Sequence, residues 1–256
     1  MNTLCRKFFV SSWAVFSLML VSTVFAGAPR VVPAIVDSIP HDQSNFTQGL
    51  FFDGTDLIET TGMHGASGLY RYSLDGKSLK VLNSTRLEKR YFGEGSIGVG
   101  DDIFYLTWKE KKAFIYDRRS FRRKGEFSIP TEGWGLTYWR DALLMSNGSS
   151  ELLQIALGGF YVVGAIQVND GNRPVPMLNE LEIVGDTLYA NIWQSDDIAV
   201  ISLPNGKVVR YLNFSEKVGE LRRKYPDIDV LNGIAYDGKN LWVTGKYWPW
   251  IYKLAP

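Results

Sequence analysis

The sequence predicts an all-β fold, a five-bladed β-propeller of four-stranded antiparallel blades. Three observations predict it. One short pattern opens five times, at Gln48-Gly49-Leu50, Glu94-Gly95-Ser96, Trp134-Gly135-Leu136, Asn179-Glu180-Leu181 and Asn232-Gly233-Ile234, with spacings of 46, 40, 45 and 53 residues. A second aligned position follows each opening by 14 residues, at Gly62, Trp108, Gly148, Trp193 and Lys246. Every unit also carries the same succession of short apolar segments and turn residues. A constant offset inside a variable period fits blades joined by loops of unequal length. An open sandwich gives no reason for it.

The elements of each unit follow in order. The first strand begins at the opening: Leu50-Phe51-Phe52, Ile97-Gly98-Val99, Leu136-Thr137-Tyr138, Leu181-Glu182-Ile183 and Ile234-Ala235-Tyr236. A turn rich in Gly and Asp comes next, as at Asp53-Gly54 or Gly185-Asp186, because these residues tolerate positive φ or bond to their own backbone. The second strand starts nine residues after the opening, at Leu57, Ile103, Leu143, Leu188 and Leu241. The third is Leu69–Tyr72, Phe114–Tyr116, Leu152–Ile155, Ile198–Ile201 and Ile251–Leu254. Four units add a fourth strand, such as Gly125–Ile129 or Gly164–Val168. The last unit ends without one, and Val32–Ile39 has strand composition. That segment is expected to pair as the outer strand of the last blade and close the ring. A solvated helix is expected around Ser215–Tyr225, where charged residues surround Val218 and Leu221.

The 256 residues suit one large domain. Residues 1–26 read as a secretory signal peptide, leaving 27–256 as the propeller. Arg6 and Lys7 supply its charge, Phe8–Val21 its apolar run, and Val24-Phe25-Ala26 its cleavage signal. The run is short for a membrane span. The expected location is therefore secreted or periplasmic, with no membrane partner after cleavage. The single cysteine, Cys5, falls in that segment, so neither a disulfide nor a thiol nucleophile is expected in the mature chain. The formal charge of +1 gives no reason to expect a nucleic-acid partner. A monomer is expected, because propellers leave few sheet edges exposed.

In a propeller the first strand of each blade lines the central channel. Gln48, Glu94, Trp134, Asn179 and Asn232 are thus expected to form a ring at one face, with Trp108, Trp193 and Lys246 just outside it. Polar plugs with satisfied hydrogen bonds also fill propeller axes. A carboxylate beside indoles, however, costs free energy unless paired, and such groups tend to carry chemistry.

Seven motifs in order carry a resemblance: Phe46-Thr47-Gln48-Gly49-Leu50, Phe92-Gly93-Glu94-Gly95, Leu106-Thr107-Trp108, Glu132-Gly133-Trp134-Gly135-Leu136, Leu178-Asn179-Glu180-Leu181-Glu182, Ala190-Asn191-Ile192-Trp193, and Val230–Ala235 with Thr244–Trp248. Together they resemble the glutaminyl-peptide cyclotransferases of the plant and bacterial type. The resemblance implies a five-bladed propeller that converts the N-terminal glutamine of peptides or proteins to pyroglutamate and releases ammonia. It also implies a site without metal or other cofactor, with the Glu94 equivalent moving protons and the aromatics lining the pocket.

The chemistry assigns further roles. The substrate's α-amine must lose a proton and its leaving nitrogen must gain one; a single carboxylate, Glu94, can serve both steps. Lys246 can stabilise the oxyanion, helped by an amide of Asn179 or Gln48. Trp108, Trp134, Trp193 and Phe46 would exclude water, whose attack would give glutamate instead. Phe92 and Asn232, in the matching motifs, join Gln48 as expected substrate contacts. His41 and His64 fall on no aligned position, which argues against a metal centre. Ser67 is read as a turn residue rather than a nucleophile. The rival reading is a propeller that binds peptide at its channel mouth without catalysis.

Overall fold

The computed structural model describes residues 27–256; the segment expected to be a signal peptide, with Cys5, lies outside them. Two short strands come first, β1 (Arg30–Val31) and β2 (Ile35–Pro40). Four strands then form a sheet in sequence order: β3 (Thr47–Asp53), β4 (Asp56–Thr61), β5 (Gly68–Asp75) and β6 (Ser78–Arg86). The same meander recurs in β7 (Gly93–Val99), β8 (Asp102–Thr107), β9 (Lys112–Asp117) and β10 (Arg123–Ser128). It recurs again in β11 (Leu136–Trp139), β12 (Ala142–Met145), β13 (Glu151–Ala156) and β14 (Val162–Gln167). A small hairpin, β15 (Asn169–Asp170) and β16 (Arg173–Pro174), precedes β17 (Leu178–Val184), β18 (Thr187–Ile192), β19 (Asp197–Ser202) and β20 (Lys207–Asn213). Helix α1 (Ser215–Lys224) leads to β21 (Leu231–Tyr236), β22 (Leu241–Gly245) and β23 (Trp250–Leu254). The result is an all-β, propeller-like fold of four-stranded antiparallel blades.

Two details depart from the expectation of uniform blades. The sheet of β17–β20 has seven strands and is mixed: β1 and β15 both run parallel to β20, and β16 pairs with β15. The physical reason is edge protection. The outer strand of a blade exposes unpaired backbone groups, and here the N-terminal strand and the hairpin cover them. The expected strand Val32–Ile39 instead starts at Ile35, since Pro33 has no N–H to give a ladder. It pairs with β23, Ser38 opposite Tyr252 and Pro40 opposite Trp250.

The core lies between sheets. The residues that open the second strands, Leu57, Ile103, Leu143 and Leu188, are fully buried, as are Leu50 and Ile234 on the first strands. Alternation of side chains along a strand explains this: every second residue faces the neighbouring sheet. Helix α1 buries Val218 and Leu221, three residues apart on one face, and turns its charges outward. Glu216 lies in its first turn and Arg222, Arg223 and Lys224 in its last, matching the helix dipole. No helix among the described residues is long and apolar enough to cross a membrane.

Candidate active site

The opening residues owe their placement to β-bulges. The pairing of first and second strands breaks register between Thr47 and Gly49, Gly93 and Ser96, Leu178 and Leu181, and Leu231 and Ile234. Gln48, Glu94, Asn179 and Asn232 are the residues caught in those breaks. A bulge inserts a residue without a partner and re-aims its side chain. Trp134 stands just before β11 and needs no bulge.

The offset of 14 also has a cause. Gly62 N–H donates to Phe46 C=O at 2.8 Å, Trp108 to Phe92 at 3.0 Å, Trp193 to Met177 at 2.8 Å and Lys246 to Val230 at 3.0 Å. The residue two before each opening is thus bonded to the second aligned position, whatever the loops do elsewhere. The third unit departs: Trp134 N–H bonds Ser146 C=O instead. The same bond brings Phe46 and Phe92 to the site.

Two aligned positions carry glycine where others carry Trp or Lys. A Cβ on Gly62 would stand 2.5 Å from the Phe92 ring, and one on Gly148 2.6 Å from the Trp134 ring. Gly148 also has φ +80°, a conformation glycine takes without penalty. Glycine here makes room for an aromatic that stands just before the first strand of a blade.

Hydrogen bonds link the sheets at the same level. Thr60 Oγ1 donates to Glu94 C=O at 2.9 Å, Gly95 N–H to Trp134 C=O at 2.7 Å, and Ser146 Oγ to Asn179 C=O at 2.7 Å. Gly233 N–H donates to Asn191 Oδ1 at 2.9 Å, and Asn232 Nδ2 to Thr47 C=O at 2.9 Å. The backbone beneath the site is therefore tied from each sheet to the next.

These elements enclose a cavity of about 180 Å³. Phe46, Gln48, Phe92, Glu94, Trp108, Trp134, Asn179, Trp193 and Lys246 all line it, together with Asp229. Of the residues expected there, only Asn232 is not on the wall. It is fully buried, and its Nδ2 reaches Gln48 Oε1 at 3.2 Å as well as Thr47 C=O. Both contacts use its Nδ2, so Asn232 orients Gln48, while its Oδ1 is buried without a partner among the described residues. With its oxygen held, Gln48 is left its Nε2 as the free donor end.

The aromatics meet edge to face or tilted. Trp134 and Trp193 lie 5.6 Å apart at 80°, Phe92 and Trp108 5.4 Å apart, and Phe46 and Phe92 6.0 Å apart at 88°. Lys246 Nζ stands 4.5 Å from the Phe46 ring centroid, a cation–π contact in a dry setting.

Glu94 is buried, and no side chain among the described residues donates to its carboxylate. Burial holds its pKa well above the ordinary glutamate value; Lys246 opposes this, and Glu132 and Glu110 add to it. Burial also lowers Lys246, against the pull of Glu94 and Asp229. Each of the two groups is shifted toward its neutral form, and each is the other's largest electrostatic support. Asn179 Oδ1 and Trp134 Nε1 are buried without a partner.

Asp229 is a wall residue that the sequence pattern does not single out. It lies three residues before its opening, where the other units have Asn45, Tyr91, Thr131 and Pro176, so the repeat gives no signal. It is placed by two bonds, its N–H to Lys246 C=O at 2.9 Å and its C=O accepting Trp248 Nε1 at 3.0 Å. Ser67 is a turn residue: its Oγ donates to Met63 C=O and accepts from Gly93 N–H. His41 is buried against Glu59, and His64 sits exposed, edge-on to Phe92 at 5.5 Å. Among the described residues no three His, Cys, Asp or Glu are grouped to hold a metal ion. A second depression, at Asp53, Arg71 and Arg118, has those charges already paired with one another.

Known proteins resemble this chain in sequence and in fold. Residues 10–255 match the family model described as glutamine cyclotransferase. A glutaminyl-peptide cyclotransferase of Arabidopsis thaliana is 36% identical over 225 residues, covering 86% of this chain and 70% of that protein. The crystal structure of Myxococcus xanthus glutaminyl cyclase superposes with a TM-score of 0.80 at 33% identity, covering 89% of this chain and 97% of that one. With the family model spanning nearly the whole sequence, the chain belongs to the glutamine cyclotransferase family.

Proposed function

We propose that this protein converts the N-terminal glutamine of a peptide or protein to pyroglutamate with release of ammonia, in the cavity around Glu94. The observation that carries the mechanism is a buried carboxyl without hydrogen-bond donors, facing a buried lysine inside a box of indoles. The substrate's α-nitrogen attacks its own γ-carboxamide carbon, and a C–N bond forms. Glu94 takes the proton that nitrogen sheds. As a carboxylic acid, Glu94 then gives the proton to the amide nitrogen, whose C–N bond breaks to release ammonia. One proton leaves and one arrives, so the group ends as it began. A carboxyl raised toward neutrality by burial suits both halves of the cycle.

Lys246 faces the oxygen that becomes negative in the tetrahedral intermediate, with Gln48 Nε2 and the Asn179 amide as further donors. The aromatic walls hold the substrate stem in ring-closing geometry and keep water out. No metal takes part in this scheme. The five sheets are read as five blades of a closed propeller, supported by the contacts of β21 with β3 and by β2 completing the last sheet. The mature chain acts as a monomer, outside the cytoplasm, after loss of residues 1–26.

The test is to incubate purified chain 27–256 with a short Gln-initiated peptide, with and without EDTA. Ammonia release and loss of one ammonia mass, unchanged by EDTA, is the expected result. EDTA-sensitive turnover restored by metal would overturn the metal-free scheme. Binding without turnover would favour the peptide-binding reading.

A further inference from the structure

The segment Gly27–Val31 is bound to the outside of the β17–β20 sheet by more than strand pairing. Asp170, in the β15–β16 hairpin, accepts from Ala28 N–H at 2.7 Å and from Tyr211 O–H at 3.2 Å. Its Oδ2 stands so near Gly27 that a Cβ there would lie 2.8 Å away. Tyr211 N–H donates to Pro29 C=O at 2.8 Å, and Arg30 bonds Asp197 at 2.9 Å while lying 4.7 Å over the Tyr211 ring. The cradle is complete except for charge. Among the described residues no lysine, arginine or histidine pairs with Asp170, which has two neutral donors and a glycine around it.

We infer that Asp170 is the binding site for a primary ammonium, the chain's own N-terminus freed by hydrolysis of the Ala26–Gly27 bond. The sequence Val24-Phe25-Ala26 offers small residues at the two positions a signal peptidase reads. Cleavage two residues later would place Pro29 first, a poor substrate for such a peptidase. Water adds across the Ala26–Gly27 amide, Ala26 departs as a carboxylate, and the Gly27 nitrogen becomes an amine that takes up a proton. That nitrogen is bonded to the same Cα that would carry the Cβ, so it lies within about 5 Å of Asp170 Oδ2. Rotation at a chain end closes the remaining gap. In the uncleaved chain the same nitrogen is a neutral amide and leaves the carboxylate unpaired. A side chain at the position would press on the carboxylate and displace it.

The ion pair also fastens the hairpin that leads through Val175 to Asn179, so a processed N-terminus holds one approach to the active site. None of this depends on the reaction assigned above. The first test is N-terminal sequencing of the protein secreted from its full-length precursor; Gly27 is expected, and any other first residue overturns the inference. The second test is a cycle of four proteins: chains starting at Gly27 or at Val24, each with and without Asp170→Asn. The substitution is expected to lower Tm by roughly 2 °C in the chain starting at Gly27 and by less than about 1 °C in the longer one. The Gly27 α-amine, followed by NMR, is expected to titrate above the ordinary value of about 7.7–8.0. Equal Tm losses in both backgrounds, or an ordinary α-amine titration, would show that Asp170 serves the backbone alone.

Discussion

Glu94→Gln separates the chemistry of the site from its architecture. The amide has the shape of the carboxylic acid, and no side chain among the described residues bonds to the Glu94 carboxylate, so the fold loses no hydrogen bond. Each proton-transfer step carries about 10²- to 10⁴-fold. Glu94 serves both, so kcat is expected to fall by at least about 10³-fold, or about 4 kcal/mol in the barrier. KM is expected to change little. Stability moves the other way. Burial raises the folded pKa of Glu94 above its unfolded value. Between the two values the unfolded chain ionises while the folded chain keeps its proton, so wild-type stability falls as pH rises through that window. Above the folded pKa the penalty is constant. The variant lacks the penalty, so its Tm advantage is expected to grow with pH from about 4.5 and then level off. The other buried carboxyls, Glu180 and Glu182, are common to both proteins and cancel in the difference. Ammonia release at saturating Gln-peptide, with a thermal melt at each pH, is the assay. Turnover within tenfold of wild type would remove Glu94 from the proton path.

Three further perturbations bear on the site. Lys246→Ala is expected to lower kcat more than tenfold if the ammonium stabilises the oxyanion; a rise in KM alone would make it a ground-state contact. Gly148→Ala forces a Cβ to within 2.6 Å of the Trp134 ring at φ +80°, so it is expected to cost about 1–3 kcal/mol and to lower kcat/KM by displacing the indole; an unchanged kcat/KM would mean Trp134 is not a wall of the working pocket. Glu59→Gln leaves the buried His41 with one charge uncompensated, at about 3–5 kcal/mol by melting. Burial works against His41 protonation, but Glu59 and the Trp248 carbonyl prevail and raise its pKa. The pair's contribution is therefore present below the ordinary histidine value and lost as pH rises through the folded one; a gap between Glu59→Gln and wild type that widens with pH would contradict this.

Much of the site was legible because it repeats. Gln48, Glu94, Trp134 and Asn179 stand at one register, and Trp108, Trp193 and Lys246 at another; all seven reach the cavity. The repeat reports backbone position, which bulges and the closing hydrogen bond hold constant. It does not report what a side chain does once there. Asn232 holds the same register as Asn179 but spends its amide on Gln48 and Thr47. Asp229 has the opposite history: the matching positions of the other units carry unlike residues, so the repeat is silent there, and tertiary bonds to Lys246 and Trp248 hold it at the wall. The parallel additions to β20 were illegible for a related reason. Strands of two residues have no periodicity to read, and edge pairing is decided by what lies nearby.

The departure in the fourth unit explains how so narrow an axis tolerates a carboxyl. The residue after the opening is glycine in the other four units. A Cβ on Gly95 would stand 2.7 Å from Trp134 C=O, and one on Gly135 2.0 Å from Asn179 C=O, so these glycines let neighbouring first strands touch. In the fourth unit that residue is Glu180. Its carboxyl accepts from Leu50 N–H at 3.2 Å and Ile234 N–H at 2.8 Å, two backbone donors on two other sheets. Those donors sit two residues past Gln48 and Asn232. Burial raises the Glu180 pKa, and these backbone N–H groups oppose the rise. Glu180 and Glu94 are both buried acids close to the axis, but their surroundings assign them opposite duties. Backbone donors satisfy Glu180 and lock the bulges of three units together. Glu94 faces a cavity with no donor to hold it, which leaves it free to take a proton from one substrate nitrogen and give it to the other.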